Sequence, residues 1–399
     1  MQGTDMDGRG SGRGPVSEIP QDLTAFPFEQ GLVVVRRGVN CLFLLNPTGR
    51  FLWECLRKGQ SRQGAAESLT EAYGIPLDRA ADDVAKAIAD WRARGLLGER
   101  APEPDDSGGA AAEPPGETPA TPAFARERRY VFLDKQFRIR FEDHELEAAI
   151  HPRYANLEFP EAGPVARTFE VFRAGSDCVL RQEGADTETA RNRSPGALGC
   201  RLFREIVELG HPDLDLLAWL HGGTVGDGER TVLLVGKGGS GKSTLTAAAA
   251  YSGLACYGDD RVLLDYPSGL AVATPNAVIL KQGSWPVLSS RFPEIAGLPT
   301  VRIEEEALRF LPMAPPARRL LPRVVSMAFL QFDARGVTAM NRITATEALR
   351  WITHCETWVA SDPERVRAFL QWVQATVAYR LSFSSLDRAV DLLRGALEQ

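Results

Sequence analysis

The sequence predicts a mixed α/β protein built from two folded units. Three observations carry that expectation. The chain has 399 residues, more than one hydrophobic core usually organises. Residues 101–125, "APEPDDSGGAAAEPPGETPATPAFA", are rich in Pro, Ala, Gly and acids, and cannot bury enough apolar surface to offset their ordering entropy. Further on, "TVLLVGKGGSGKSTLTAAAA" runs from a buried-type strand through a glycine loop into an Ala-rich helix. The boundaries that follow are a disordered polar tail over 1–19, a small unit over 20–100, a flexible linker over 101–125 and a large unit over 126–399.

Composition narrows the function classes. Apolar residues at 44% and charged residues at 25% are ordinary for a soluble globular chain. A net charge of -6 supplies no basic face for nucleic acid. The six cysteines, at 41, 55, 178, 200, 256 and 355, form no CxxC and no His/Cys set, so they read as small buried hydrophobes in a reducing compartment. The N-terminus lacks the apolar core of a signal peptide, and no window approaches the roughly 18 apolar residues of a membrane span. A cytoplasmic protein with no membrane partner is expected.

In the small unit, "GLVVVRRGVNCLFLLN" reads as two strands around a turn at 37–40. Asn46 then caps a helix with Pro47 at its first position and an apolar face of Phe51, Leu52, Trp53 and Leu56. A second helix starts near Ser61, carries Leu69 and Tyr73 and stops at Gly74. A third runs from about Leu77 through Val84, Ile88 and Trp91 to Gly95. A β-hairpin with three helices is winged-helix-like, which suggests DNA binding. The third helix argues against it, since Asp78, Asp82, Asp83 and Asp90 balance its four basic residues.

The large unit opens with alternating strands, "RYVFLDKQFRIRFED", and a sheet-rich region to about Asn192. A helix near "ALGCRLFREIVELG" and a strand-like "DLLAWLHGGTV" lead to the glycine loop. Beyond it, "VVSMAFLQFDA" reads as a strand and two amphipathic helices follow. Trp285 and Trp351 are expected in the core, and Ser384 or Ser385 as the cap of a final packing helix.

The loop matches G-x-x-x-x-G-K-[ST] at Gly236, Lys237, Gly238, Gly239, Ser240, Gly241, Lys242 and Ser243, with Thr244 following. Glycines let backbone N–H groups turn inward around phosphate oxygens, Lys242 supplies a point charge, and Ser243 offers a hydroxyl to Mg2+. The helix N-terminus faces the anion. No Asn-Lys-x-Asp motif indicates a GTP switch, and only 16 residues separate Lys242 from Asp259, too few for a transporter ATPase. The next strand breaks at Gly258-Asp259-Asp260, two carboxylates suited to two tasks, metal binding and proton acceptance.

Two resemblances follow from these residues. Two strands, "LNPTGRFLWECL", a Tyr-Gly helix end and a final "WRARGLL" resemble the PqqD-like domain, which recognises leader peptides of ribosomally made, modified peptides. That implies a leader peptide added as an extra strand along the domain's edge beside its last helix. His221-Gly222 before the loop, the loop itself and "YGDDRVLL" after it resemble the HPr kinase/phosphorylase family, sharply over about 219–265. That resemblance implies a PEP-carboxykinase-like P-loop serine kinase using ATP and Mg2+, and a homo-oligomer, although no interface is legible. It implies Asp259 as general base, Asp260 as a metal ligand with Ser243, and His221 as the group that orients or tunes Asp259. Two departures, Lys242-Ser243-Thr244 in place of Lys-Ser-Glu and the absence of a glutamate in "GLAVATPNAVILKQGSWPV", separate the chain from enzymes that run the reverse phosphorolysis. The sequence is closer to the HPr-kinase-like proteins that phosphorylate lasso precursor peptides.

Lys281, Arg318 and Arg319 are the next candidates for phosphate or substrate contact, because cationic donors stabilise a transferring phosphoryl group. The expected function is therefore an ATP-dependent kinase of a precursor peptide. Its rivals are a kinase of a free small molecule such as an amino acid, and a nucleotide-gated peptide-binding protein without phosphotransfer.

Overall fold

The computed structural model describes residues 19–20, 22–36, 42–97, 122–161, 163–185, 187–303, 305–314, 319 and 321–398. The tail over 1–18, the turn at 37–40, nearly all of the linker and Arg318 lie outside them. The chain divides into two compact units, Met1–Pro104 and Asp105–Gln399.

In the first unit, β1 (Leu23–Phe28), β2 (Gly31–Arg36) and β3 (Leu42–Leu45) form an antiparallel sheet in that order. Helices α1 (Pro47–Arg57), α2 (Arg62–Tyr73) and α3 (Leu77–Ala93) follow. The helix starts arise from side-chain caps, as expected: Asn46 Oδ1 accepts from the Gly49 amide at 2.7 Å, and Ser61 Oγ from that of Gly64 at 3.1 Å. Gly74, at φ 66, ends α2 in the left-handed conformation. Trp53 and Trp91 meet edge to face at 5.6 Å and, with Leu52, Leu69, Val84 and Ile88, close the core over Leu32 and Val34. β1 was not expected. Pro27 within "LTAFPF" weakens its strand signal, and β1 sits at the sheet edge, where a missing N–H is tolerated.

The second unit begins with β4 (Arg126–Phe132), β5 (Lys135–Phe141), α4 (His144–Tyr154), β6 (Arg167–Ala174), β7 (Asp177–Gln182) and β8 (Ala190–Asn192). Its five strands pair in chain order, antiparallel except β5 with β6, which α4 bridges. One face buries Phe132, Phe137, Ile139, Phe141 and Phe169, while Arg138, Arg140 and Arg181 pair with Glu170 and Glu183 on the other. After α5 (Pro195–Gly210) come β9 (Leu216–Gly226), β10 (Arg230–Val235), α6 (Lys242–Tyr251), β11 (Ala255–Gly258), β12 (Arg261–Asp265) and β13 (Ala271–Val272). Next are β14 (Val278–Lys281), α7 (Trp285–Ser289), β15 (Thr300–Ile303) and β16 (Glu306–Leu311), whose strands make a small separate sheet. The chain finishes with β17 (Arg323–Phe332), β18 (Ala339–Ile343), α8 (Ala345–Thr353), β19 (Thr357–Val359), α9 (Pro363–Ala375), β20 (Val377–Phe383) and α10 (Leu386–Leu397).

The main sheet has nine strands ordered β13-β12-β9-β10-β17-β20-β18, with β11 and β19 also paired to β9. β10, β17 and β20 run parallel, and β9 is antiparallel to β10. Such a parallel centre needs cover. On one face α6 and α10 supply it, with Leu245, Ala247, Ala248, Ala249 and Leu393 packed on Leu234, Leu330 and Leu381. Ser385 caps α10, as one of its two expected candidates. Trp351 stacks on Phe329 at 6.1 Å and Trp285 packs against the main core, both half-buried.

Candidate functional site

β10 ends at Val235, the loop turns through Gly236 to Gly241, and α6 starts at Lys242. Gly241 caps that helix at φ 91, a conformation that favours glycine, and an added Cβ would lie 2.8 Å from the Phe383 ring. By contrast, nothing lies within 4 Å of an added Cβ at Gly238 or Gly239, so the middle of the loop is open. Lys242 is only 6% exposed, and its Nζ donates to the loop's own Gly236 and Lys237 carbonyls at 2.6 and 2.9 Å. Burial pushes its pKa down, against the opposing charge of Asp259. Ser240 Oγ is buried with no hydrogen-bond partner. Ser243 and Thr244 follow on the first turn of α6, half-buried.

The two acids form the corner between β11 and β12, and β9 sets their place. Gly258 registers with Thr224 and Arg261 with His221, while Val235, the last residue before the loop, registers with Gly222. One stretch, His221 to Thr224, therefore carries the phosphate-loop strand on one side and the acid corner on the other. The Gly222 amide donates to the Asp260 carbonyl at 3.1 Å, and Asp260 takes a left-handed φ of 74. An added Cβ on Gly223 would lie 2.7 Å from Thr246 Oγ1 and 3.2 Å from Asp259 Oδ1, so the bare backbone lets α6 and the acid approach β9.

Asp259 is 1% exposed. Burial pushes its carboxyl up to about 6, partly opposed by the Ile279 amide, which donates to Oδ2 at 3.0 Å, and by the neighbouring Ser243 hydroxyl. Oδ1 has no partner of hydrogen-bond geometry. His221 is half-buried and engages a different group from the one expected. Its Nδ1 lies 3.5 Å from Glu356 Oε2, its amide donates to the Glu356 carbonyl at 3.0 Å, and of the two aspartates it is Asp260 whose charge acts on it. Burial is the largest influence on the imidazole and lowers its pKa.

Of the outlying cations, Lys281 is exposed and paired with Glu306 at 2.5 Å. Arg319 is exposed, with its carbonyl accepting from the Ala273 amide. Among the described residues, neither forms a hydrogen bond or ion pair with the loop. The structure instead buries Arg153, which sequence reading did not single out. Its Nη1 donates to Cys200 Sγ at 3.2 Å, its carbonyl accepts from the Ala277 amide at 3.0 Å, and Asp260 acts on its charge. No local signal separates "HPRY" from a surface arginine. Glu356 and the buried hydroxyls of Thr246 and Thr274 were missed for the same reason.

The donor set fits a hard divalent ion. Mg2+ is usually held by one or two carboxylates, a hydroxyl and substrate phosphates. Here an unpartnered buried carboxylate oxygen and the Ser243 hydroxyl adjoin the open glycine loop. Among the described residues no three His, Cys, Asp or Glu gather, so no all-protein metal cage is built.

Comparison with known proteins sets this architecture in context. The family described as coenzyme PQQ synthesis protein D (PqqD) matches residues 31–97, and the first unit is accordingly a PqqD-like domain. One similar solved structure is TbiB1 in complex with the TbiA(beta) leader peptide, 15% identical, covering 21% of this chain and 99% of its own, at a TM-score of 0.20. Another is the Hpr(Ser) kinase/phosphatase from Coxiella burnetii, 12% identical, covering 45% of this chain and 93% of its own, at a TM-score of 0.23. No curated protein matches the chain. Among the described residues, no helix is long and apolar enough to cross a membrane.

Proposed function

We propose that this chain is an ATP-dependent serine kinase of a ribosomally made precursor peptide, of the lasso-peptide kind, recruited through its PqqD-like unit. The observation that carries the phosphotransfer reading is the convergence on His221 to Thr224 of β9, which sets the phosphate loop beside Asp259 and Asp260. In the reaction the acceptor Oγ bonds to the γ-phosphorus, the bond from that phosphorus to the β–γ bridging oxygen breaks, and ADP leaves. Asp259 takes the hydroxyl proton. A carboxyl held near 6 is ionised at neutral pH yet basic enough to accept it. Lys242 and the N-terminus of α6 would face the phosphates, while Ser243 and Asp260 would hold Mg2+, which when bound would offset charge on the phosphate oxygens. His221, paired with Glu356, stands on β9 in register with Arg261 and flanks the acid corner, where it would help to position the acids.

Recruitment rests on the PqqD-like unit. β3 lies at the edge of its sheet, so its outer backbone groups suit an added peptide strand. Incubating a leader-bearing peptide with MgATP and the full chain should add the mass of one phosphate. ATP binding with no phosphopeptide would leave a nucleotide-gated binder and end the kinase reading.

A second assignment exchanges the two carboxylates, because Asp259, rather than Asp260, has Ser243 beside it. Replacing the ion ligand should raise the Mg2+ concentration needed for half-maximal turnover. Replacing the base should lower turnover at every Mg2+ concentration.

A further inference from the structure

The acids lie on the β9 side of the phosphate loop. On its other side, β17 and β20 run parallel to β10 and end at Phe332 and Phe383, at the same edge of the sheet as Val235. Ligands of open α/β sheets sit beyond the carboxyl ends of the strands. An acceptor hydroxyl must approach from the acids, which leaves the β17–β20 side for the remainder of the nucleotide.

What stands there is aromatic. Phe332 is 52% exposed, the only Phe, Tyr or Trp of the second unit so open among the described residues. Its ring meets Phe383 at 5.6 Å and 62°. Phe383, itself buried, abuts Gly241 of the loop. The Asp333 amide donates to the Phe383 carbonyl at 3.0 Å, which ties the ends of the two strands together. A line of contact thus runs from the phosphate cradle through Phe383 to an open ring on a fixed strand end. A phenyl ring left half in water forgoes the favourable transfer of that apolar surface out of water.

We infer that Phe332 is the platform on which the base of the loop-bound nucleoside triphosphate stacks, with Phe383 as its support. The inference rests on the reading of the loop as a nucleotide site. Stacking on a phenyl face is tolerant of base identity, so ATP and GTP are both accommodated.

Titration calorimetry on the full chain with MgATP and with magnesium tripolyphosphate tests this. Phe332→Ala should weaken ATP binding about ten-fold, within the range for one base on one aromatic ring, and leave tripolyphosphate binding unchanged. Phe332→Tyr should bind both as wild type does. Equal ATP affinity in Phe332→Ala, or a matching loss of tripolyphosphate affinity, overturns the platform. A wild-type chain that binds neither probe overturns the nucleotide reading itself, whereas one that binds both alongside an indifferent Phe332→Ala overturns only the stacking.

Discussion

In the proposed reaction Asp259 would link stability and activity at a single atom group. A free aspartate carboxyl titrates near 4, and burial holds this one at about 6. The folded chain therefore binds that proton more tightly than the unfolded chain does. Stability is greatest while the group is protonated and falls as pH rises between about 4 and 6, by an amount on the order of 2–3 kcal/mol for the metal-free protein. Asp259→Asn should recover much of that loss at neutral pH, because the amide oxygen still accepts from Ile279, and urea unfolding at pH 4.5 and 7.5 measures it. Under the proposed mechanism turnover needs the ionised base, so kcat/KM should climb as pH rises through about 6. The Asn variant should bind ATP normally and transfer no phosphate; normal turnover would remove Asp259 as base. Lys242→Ala, in contrast, should weaken ATP binding by roughly ten-fold or more, since it deletes the loop's internal cation.

At the level of elements, the acid corner depends on close backbone approach. A Cβ on Gly258 would fall 2.2 Å from Thr274 Oγ1 and at an ordinary 3.5 Å from its Cβ. Gly258→Ala should thus cost about 1–3 kcal/mol, and adding Thr274→Ala should return part of it, a non-additivity that thermal unfolding of the two single variants and the double variant reveals. Local elements were legible where chemistry is local: the caps at Asn46, Ser61 and Ser385, the glycine end of α2, and the strand-loop-helix run of the phosphate site. The pairing of β9 with β10, β11, β12 and β19 was not, because register between distant segments leaves no periodic trace. Hence the sequence singled out Asp259 and His221 as candidates but not the Glu356 that His221 engages, 135 positions along the chain. It also offered Lys281, whose partner Glu306 comes from the neighbouring strand β16.

In the proposed reading, the whole molecule joins a peptide-recruiting PqqD-like unit to a nucleotide-binding one. Tethering of this kind holds a bound partner at an effective concentration commonly near mM, without any new contact at the reacting atoms. Removing residues 1–104 should therefore lower kcat/KM for a leader-bearing peptide while leaving turnover of a leaderless peptide unchanged. Equal kcat/KM for both peptides would overturn recruitment and favour a small-molecule kinase. Within the second unit, β9 has a role that outlasts any single turnover. Bonded to four strands, it cannot release the backbone beneath the site without breaking several ladders together. The amides from Gly222 to Val225 should accordingly exchange with deuterium only through global opening, at the slowest rates in that unit, whereas the loop at Gly238 and Gly239 exchanges freely. In the proposed reading the nucleotide would then come and go over a floor that opens only when the whole unit does.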